Sequence, residues 1–205
     1  MSIKRVRTHG NPLAYHETMP AIDFSKQFPG FDGELDFEVG VGKGVFLRHY
    51  ALQFPQRPIL GVEIRKPLVD SLQDVLVAQG SHNALVLHGS AERCIDDCFP
   101  HAMIRRCFVF HPDPWIKKRH LKRRVINSKF LASLKPKLLK GAELYISTDV
   151  THLWEDIQDC MSQDPDFKQV DDTGFWTDVY HTHWAEYTSA DQRSQWKGRW
   201  DYSPE

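Results

Sequence analysis

The chain has 205 residues, 41% of them hydrophobic and 26% charged, with a formal net charge of −1. Those totals suit one soluble domain with a real core and exclude both an intrinsically disordered chain and a membrane-spanning one, since no apolar run approaches the roughly 20 residues a spanning helix needs. Cys94, Cys98, Cys107 and Cys160 show neither a disulfide framework nor structural-zinc spacing, so a reduced, cytoplasmic chain without a metal is expected.

In chain order, residues 1–33 read as an N-terminal arm. They lack sustained periodicity, carry Lys4, Arg5 and Arg7 near the start, and are punctuated by Pro20, Pro29, Gly30 and Gly33. The domain proper is expected over 34–205. Leu35 to Val39 reads as a first strand, followed by Gly40-Val41-Gly42-Lys43-Gly44. A helix follows on Phe46, Leu47, Tyr50, Ala51 and Phe54, stopped by Pro55. Ile59 to Ile64 is a second strand that ends on Glu63 and Ile64. A helix opened near Pro67 and closed by Gly80 comes next. Ala84 to Leu87 and Ile104 to Phe110 are a third and a fourth strand. A helix from Lys122 to Leu134, a fifth strand from Ala142 to Ser147 and a helix from Val150 to Met161 complete the alternation. This order implies an α/β fold, doubly wound and Rossmann-like, with a mostly parallel sheet covered by helices on both faces. The aromatic-rich last forty residues are expected to add further strands and a substrate-facing segment.

Ligands of an open parallel sheet bind beyond the carboxyl ends of its strands. Glu38, Glu63, Ser90, Asp113 and Asp149 all fall at such ends. The glycine loop lets the backbone turn sharply against a ligand, and Glu63 lies 21 residues beyond Gly42, about where a carboxylate meets ribose hydroxyls. A dinucleotide site would want glycine where Val45 stands, and a pyrophosphate would be repelled by Glu38. S-adenosyl-L-methionine, cationic and without phosphate, is the better electrostatic match.

The fourth strand runs into His111-Pro112-Asp113-Pro114-Trp115, in which two prolines fix the backbone on either side of one acid. Lys117, Lys118, Arg119, Lys122, Arg123 and Arg124 then place six cations in eight positions, with His120 among them. Without those six, 20 of the 26 basic residues face 27 acidic ones, a balance of −7. An acidic protein with one basic island steers a polyanion to one face.

These residues resemble the tRNA (guanine-N7)-methyltransferase family of class I S-adenosylmethionine-dependent enzymes. The resemblance is carried by Glu38-x-Gly-x-Gly-x-Gly44, Gly61-Val-Glu-Ile-Arg65, the Pro112–Arg124 block and Thr148-Asp149. It implies a methyltransferase fold that binds S-adenosyl-L-methionine through Glu38, Gly40, Gly42, Gly44, Glu63, Ile64, Arg65, Ser90, Ala91 and Phe110. Asp113 is the expected catalytic acid residue. Lys117 and Asp149, with Thr188, Asp191 and Arg193 of a late motif, are the expected substrate contacts. Lys118, Arg119, His120, Lys122, Arg123 and Arg124 are expected to touch RNA. The implied reaction is methylation of guanine N7 in tRNA, at a variable-loop guanine, by a monomer or homodimer. Ser90 stands where the family favours Asp or Asn, Ile116 where Pro is common, and Asp191 where Glu is usual. Another RNA, amine or protein substrate, or a non-catalytic RNA-binding role, remains the alternative.

Overall fold

A computed structural model describes residues 11–183 and 194–204. Seven strands form one sheet in the order β3-β2-β1-β4-β5-β7-β6: β1 Leu35–Val39, β2 Ile59–Glu63, β3 Ala84–His88, β4 Ile104–Phe110, β5 Leu138–Thr148, β6 Phe167–Val170 and β7 Trp196–Tyr202. The first five pair in parallel, while β7 runs antiparallel to both β5 and β6. The helices are α1 Phe24–Gln27, α2 Val45–Gln53, α3 Lys66–Gln79, α4 Ala91–Cys98, α5 Ser128–Leu134, α6 Thr151–Ser162 and α7 Thr173–Asp178.

Strands β1 and β2 are buried at every position, as a sheet covered on both faces requires. Alternation along each strand then feeds two cores. Phe37, Val39, Cys107, Val109, Leu144 and Ile146 pack with Cys94, Ile95, Phe130, Leu131, Ile157 and Met161. On the opposite face, Phe108, Phe110 and Tyr145 meet Phe46, Leu47, Tyr50, Leu72 and Leu76. The cysteines of α4 and β4 are core residues, and burial pushes the Cys107 thiol up.

The expected starts and stops at Pro67 and Gly80 match α3, whose C-cap Gly80 takes φ 73°. Other boundaries differ for identifiable reasons. The helix expected from Lys122 begins instead at Ser128, because the Asn127 side chain accepts from the Phe130 amide at 2.9 Å and caps it there. Lys118–Arg123 forms a 3-10 turn. Strand β5 starts four residues before Ala142 and continues through Gly141 at φ 76°, where the β4–β5 register shifts. Helix α4 has no counterpart in the periodicity reading; the Ser90 hydroxyl caps it by accepting from Arg93 N at 3.3 Å. Within the N-terminal segment, Met19, Phe24 and Phe28 belong to the first core. Phe24 stacks 5.9 Å from Phe99. Lys4, Arg5 and Arg7 lie outside the described residues.

Candidate active site

Four strand ends converge on one open cavity of about 150 Å³. Its wall comprises Val39-Gly40, Val62 to Arg65, Gly89 to Ala91 and Phe110 to Asp113, with Trp115, Arg123, Val125 and Pro12 at its margin. Gly40 holds φ 76°, and a side chain there would meet nothing within 4 Å, so its bare backbone faces open space. Gly44 instead serves the helix entry: it caps α2 at φ 70°, and a Cβ would strike Leu72 at 2.4 Å.

Glu63 organises the loop. Its Oε2 accepts from the Gly42 amide at 2.9 Å, and its Oε1 accepts from the Arg65 amide at 2.9 Å and Arg65 Nε at 2.8 Å. These bonds to Glu63 hold the Arg65 pKa above its ordinary value, with Asp113 adding to the field. Glu38 points to the α2 side of β1 and does not line the cavity. It is 4% exposed and its Oε2 has no hydrogen-bond partner among the described residues. Burial, with Glu63 nearby, pushes its pKa up to about 8. An acid rather than a lysine at the second strand end, beside the glycine loop, suits a nucleoside ligand without phosphate.

The Asp113 turn is held from both sides. His111 and Trp115 take φ 46° and 41°, left-handed values that non-glycine residues adopt only when their surroundings impose them. The Arg123 guanidinium lies 4.9 Å over the Trp115 ring, and His120 meets that ring edge-on at 5.7 Å. Arg124 Nε donates to the Pro114 carbonyl at 2.8 Å and its guanidinium pairs with Asp156.

Of the residues singled out in the sequence, Gly40, Glu63, Ile64, Arg65, Ser90, Ala91, Phe110 and Asp113 share the cavity. Lys117, Lys118, Arg119 and Lys122 are exposed beside it. Two basic residues depart from the expected RNA-facing row. Arg124 is only 7% exposed and is committed to Pro114 and Asp156, so it is not available to a phosphate. Arg123 belongs to the cavity margin, with its Nε buried and without a partner among the described residues. Asp149 caps the neighbouring strand end, 16% exposed, with its Oδ1 3.5 Å from His111 Nδ1. Thr188, Asp191 and Arg193 lie outside the described residues. Tyr180 escaped the sequence reading, although Phe175, Trp176, Val179 and Tyr180 recur at helical spacing; nothing in the sequence marked Pro12.

The model of a family described as "Putative methyltransferase" matches residues 32–203. A tRNA (guanine-N(7)-)-methyltransferase from Nitrosococcus oceani is 34% identical over 164 residues, covering 80% of this chain and 68% of its own length. One from Synechococcus elongatus is 30% identical over 175 residues, covering 83% and 82%. One from Marinobacter nauticus is 35% identical over 145 residues, covering 71% of this chain but only 61% of its own length. Among solved structures, the 16S rRNA methyltransferase KamB superposes with a TM-score of 0.67 at 17% identity, over 91% of this chain and 96% of its own. At that identity the likeness speaks for the fold. Among the described residues, no helix is long and apolar enough to cross a membrane.

Proposed function

Because this chain belongs to the tRNA (guanine-N(7)-)-methyltransferase family, we propose that it methylates guanine N7 in tRNA, at a variable-loop guanine. S-adenosyl-L-methionine supplies the electrophilic methyl group when bound. The observation that carries the reading is the convergence of Gly40, Glu63, Ser90 and Asp113 on one cavity beside an exposed basic segment.

The residues divide the work. Glu63 steadies the glycine loop through the Gly42 amide and would hold the ribose edge by exchanging an Arg65 N–H for a hydroxyl. Glu38, deprived of water, favours a positive group nearby once ionised. Ser90 and Ala91 form the wall at the third strand end, with Phe110 opposite. Guanine N7 attacks with an in-plane lone pair and needs no base, so the protein must align the reacting atoms and exclude water. The purine gains positive charge as it is methylated, and Asp113 stabilises that charge in a partly desolvated site. Asp149 accepts from the guanine N1–H and exocyclic amine. Lys117, Lys118, Arg119 and Lys122 hold the RNA backbone.

The test is mass spectrometry of nucleosides from unmodified tRNA treated with protein and S-adenosyl-L-methionine. The expected product is 7-methylguanosine, mapped to the variable loop. Asp113→Ala should lower methyl transfer by about 100-fold or more, the scale of losing a pre-organised charge-stabilising group, while calorimetry shows cofactor binding intact. Another methylated nucleoside, or full activity in Asp113→Ala, overturns the assignment.

A further inference from the structure

The carboxyl ends of β4 and β5 are linked by a chain of polar side-chain contacts that runs through Tyr180 at the edge of the second core. Ser147 Oγ lies 2.9 Å from the Tyr180 hydroxyl, which lies 2.7 Å from His111 Nε2. His111 Nδ1 in turn lies 3.5 Å from Asp149 Oδ1. The His111 side chain is 4% exposed. A carboxylate only accepts, so the proton sits on Nδ1, facing Asp149. Burial holds the imidazole pKa below its ordinary value against the opposing pull of Asp149, with Lys197 adding to the lowering. The ring is then neutral, and Nε2 accepts from the Tyr180 hydroxyl. That hydroxyl's oxygen is left to accept from Ser147. All three hydrogen bonds point the same way and end on Asp149.

Covalent placement gives the chain a purpose. His111 immediately precedes Pro112-Asp113, and its amide extends the sheet by donating to the Ser147 carbonyl at 2.8 Å. Its left-handed backbone at φ 46° is uncommon for a non-glycine residue, and contacts at both ends of the ring accompany it here. Tyr180 is itself fixed, 8% exposed, with Phe110 edge-on at 5.0 Å and Lys197 Nζ 4.5 Å over its ring.

We propose that His111, backed by Tyr180 and Ser147, is a positioning residue that fixes the Asp149 carboxylate against the purine while anchoring the Asp113 turn. This rests on the role given to Asp149 above. tRNA affinity is dominated by phosphate contacts, whereas base orientation governs the chemical step. Loss of the chain should therefore appear in kcat and spare KM.

The test uses the full chain with tRNA and S-adenosyl-L-methionine, comparing His111→Phe, His111→Asn, Tyr180→Phe, Asp149→Ala and the His111→Phe/Asp149→Ala double variant. His111→Phe should lower kcat by about 10- to 100-fold, the scale of a misplaced reacting group, with KM for tRNA within about twofold of wild type. His111→Asn keeps an N–H toward Asp149 and tolerates a left-handed backbone, so it should recover most of that loss. Tyr180→Phe removes one hydroxyl, with its bonds to His111 and Ser147, while keeping the packing, and should lower kcat by about 3- to 10-fold, the scale of hydrogen bonds lost from the chain. The double variant should be no worse than Asp149→Ala, since coupled residues are non-additive. Equal damage from Asn and Phe, or a multiplicative double variant, would reduce His111 to packing and overturn the proposal; so would wild-type kcat in Tyr180→Phe. Full activity in Asp149→Ala would instead remove the role of Asp149, and the proposal with it. Loss in Asp149→Ala with none in His111→Phe would overturn the proposal alone.

Discussion

The Gly42 amide donates to the Glu63 carboxylate across 2.9 Å, so the loop after β1 and the end of β2 hold each other in place. Glu63 also accepts three N–H groups from Arg65, at 2.9, 2.8 and 3.2 Å. A glutamine there would offer one accepting oxygen and turn an NH2 group toward donors. Glu63→Gln should therefore weaken S-adenosyl-L-methionine binding by about 10- to 100-fold, equivalent to roughly 1–3 kcal/mol for an unsatisfied buried group. Isothermal calorimetry measures it, and an unchanged Kd would remove Glu63 from the cofactor site.

Glu38 should make stability depend on pH in a definite direction. Its pKa rises from 4.5 to about 8 on folding, so the folded state holds the proton more tightly than the unfolded chain. The resulting stability is complete below about pH 4.5 and is lost as pH rises through about 8. Glu38→Gln imitates the protonated acid and escapes that loss. Its melting temperature relative to wild type should rise between about pH 5 and pH 9, a span that covers the titration. A difference that stays flat over the range would mean that Glu38 titrates normally.

Arg124 should behave as a structural residue despite sitting in the basic run. Arg124→Ala strands the Pro114 carbonyl and breaks the pair with Asp156, and should destabilise the fold by about 1–3 kcal/mol. Lys118→Ala and Arg119→Ala, both at exposed positions, should stay within about 0.5 kcal/mol of wild type. Urea melts of the three variants decide it; equal stabilities would mean that the Arg124 contacts contribute nothing.

RNA binding should show the converse pattern. Neutralising Lys118 and Arg119 together should flatten the log–log salt dependence of tRNA affinity by about 0.7–0.9 per lost phosphate contact. An unaltered slope for that pair would place the RNA on another face.

Where the sequence reading succeeded, the signal was local. Leu35 to Val39 alternates apolar and acidic residues, Ile104 to Phe110 closes on the apolar run Cys107 to Phe110, and both form strands at those bounds. Gly80 ends its helix because a left-handed cap at φ 73° suits glycine. Where it missed, the deciding partner was distant or easily overlooked. The Asn127 cap outweighed a helical pattern that began at Lys122. Helix α4 is short, with Cys94, Ile95 and Cys98 as its buried face, and two of those three residues were weighed for their thiols.

The amino-acid order alone determined that strands and helices alternate and that polar residues terminate the strands, because apolar periodicity and turn chemistry act over a few neighbouring positions. From this came the parallel sheet and the end of it that carries the site. Only the tertiary structure decided which cations face outward, since Arg124 is claimed by a carbonyl ten residues away and a carboxylate 32 residues away. It alone joined His111 to Tyr180 across 69 residues. Burial and hydrogen bonding of this kind depend on which chain segments meet in space, and spacing along the chain does not record that.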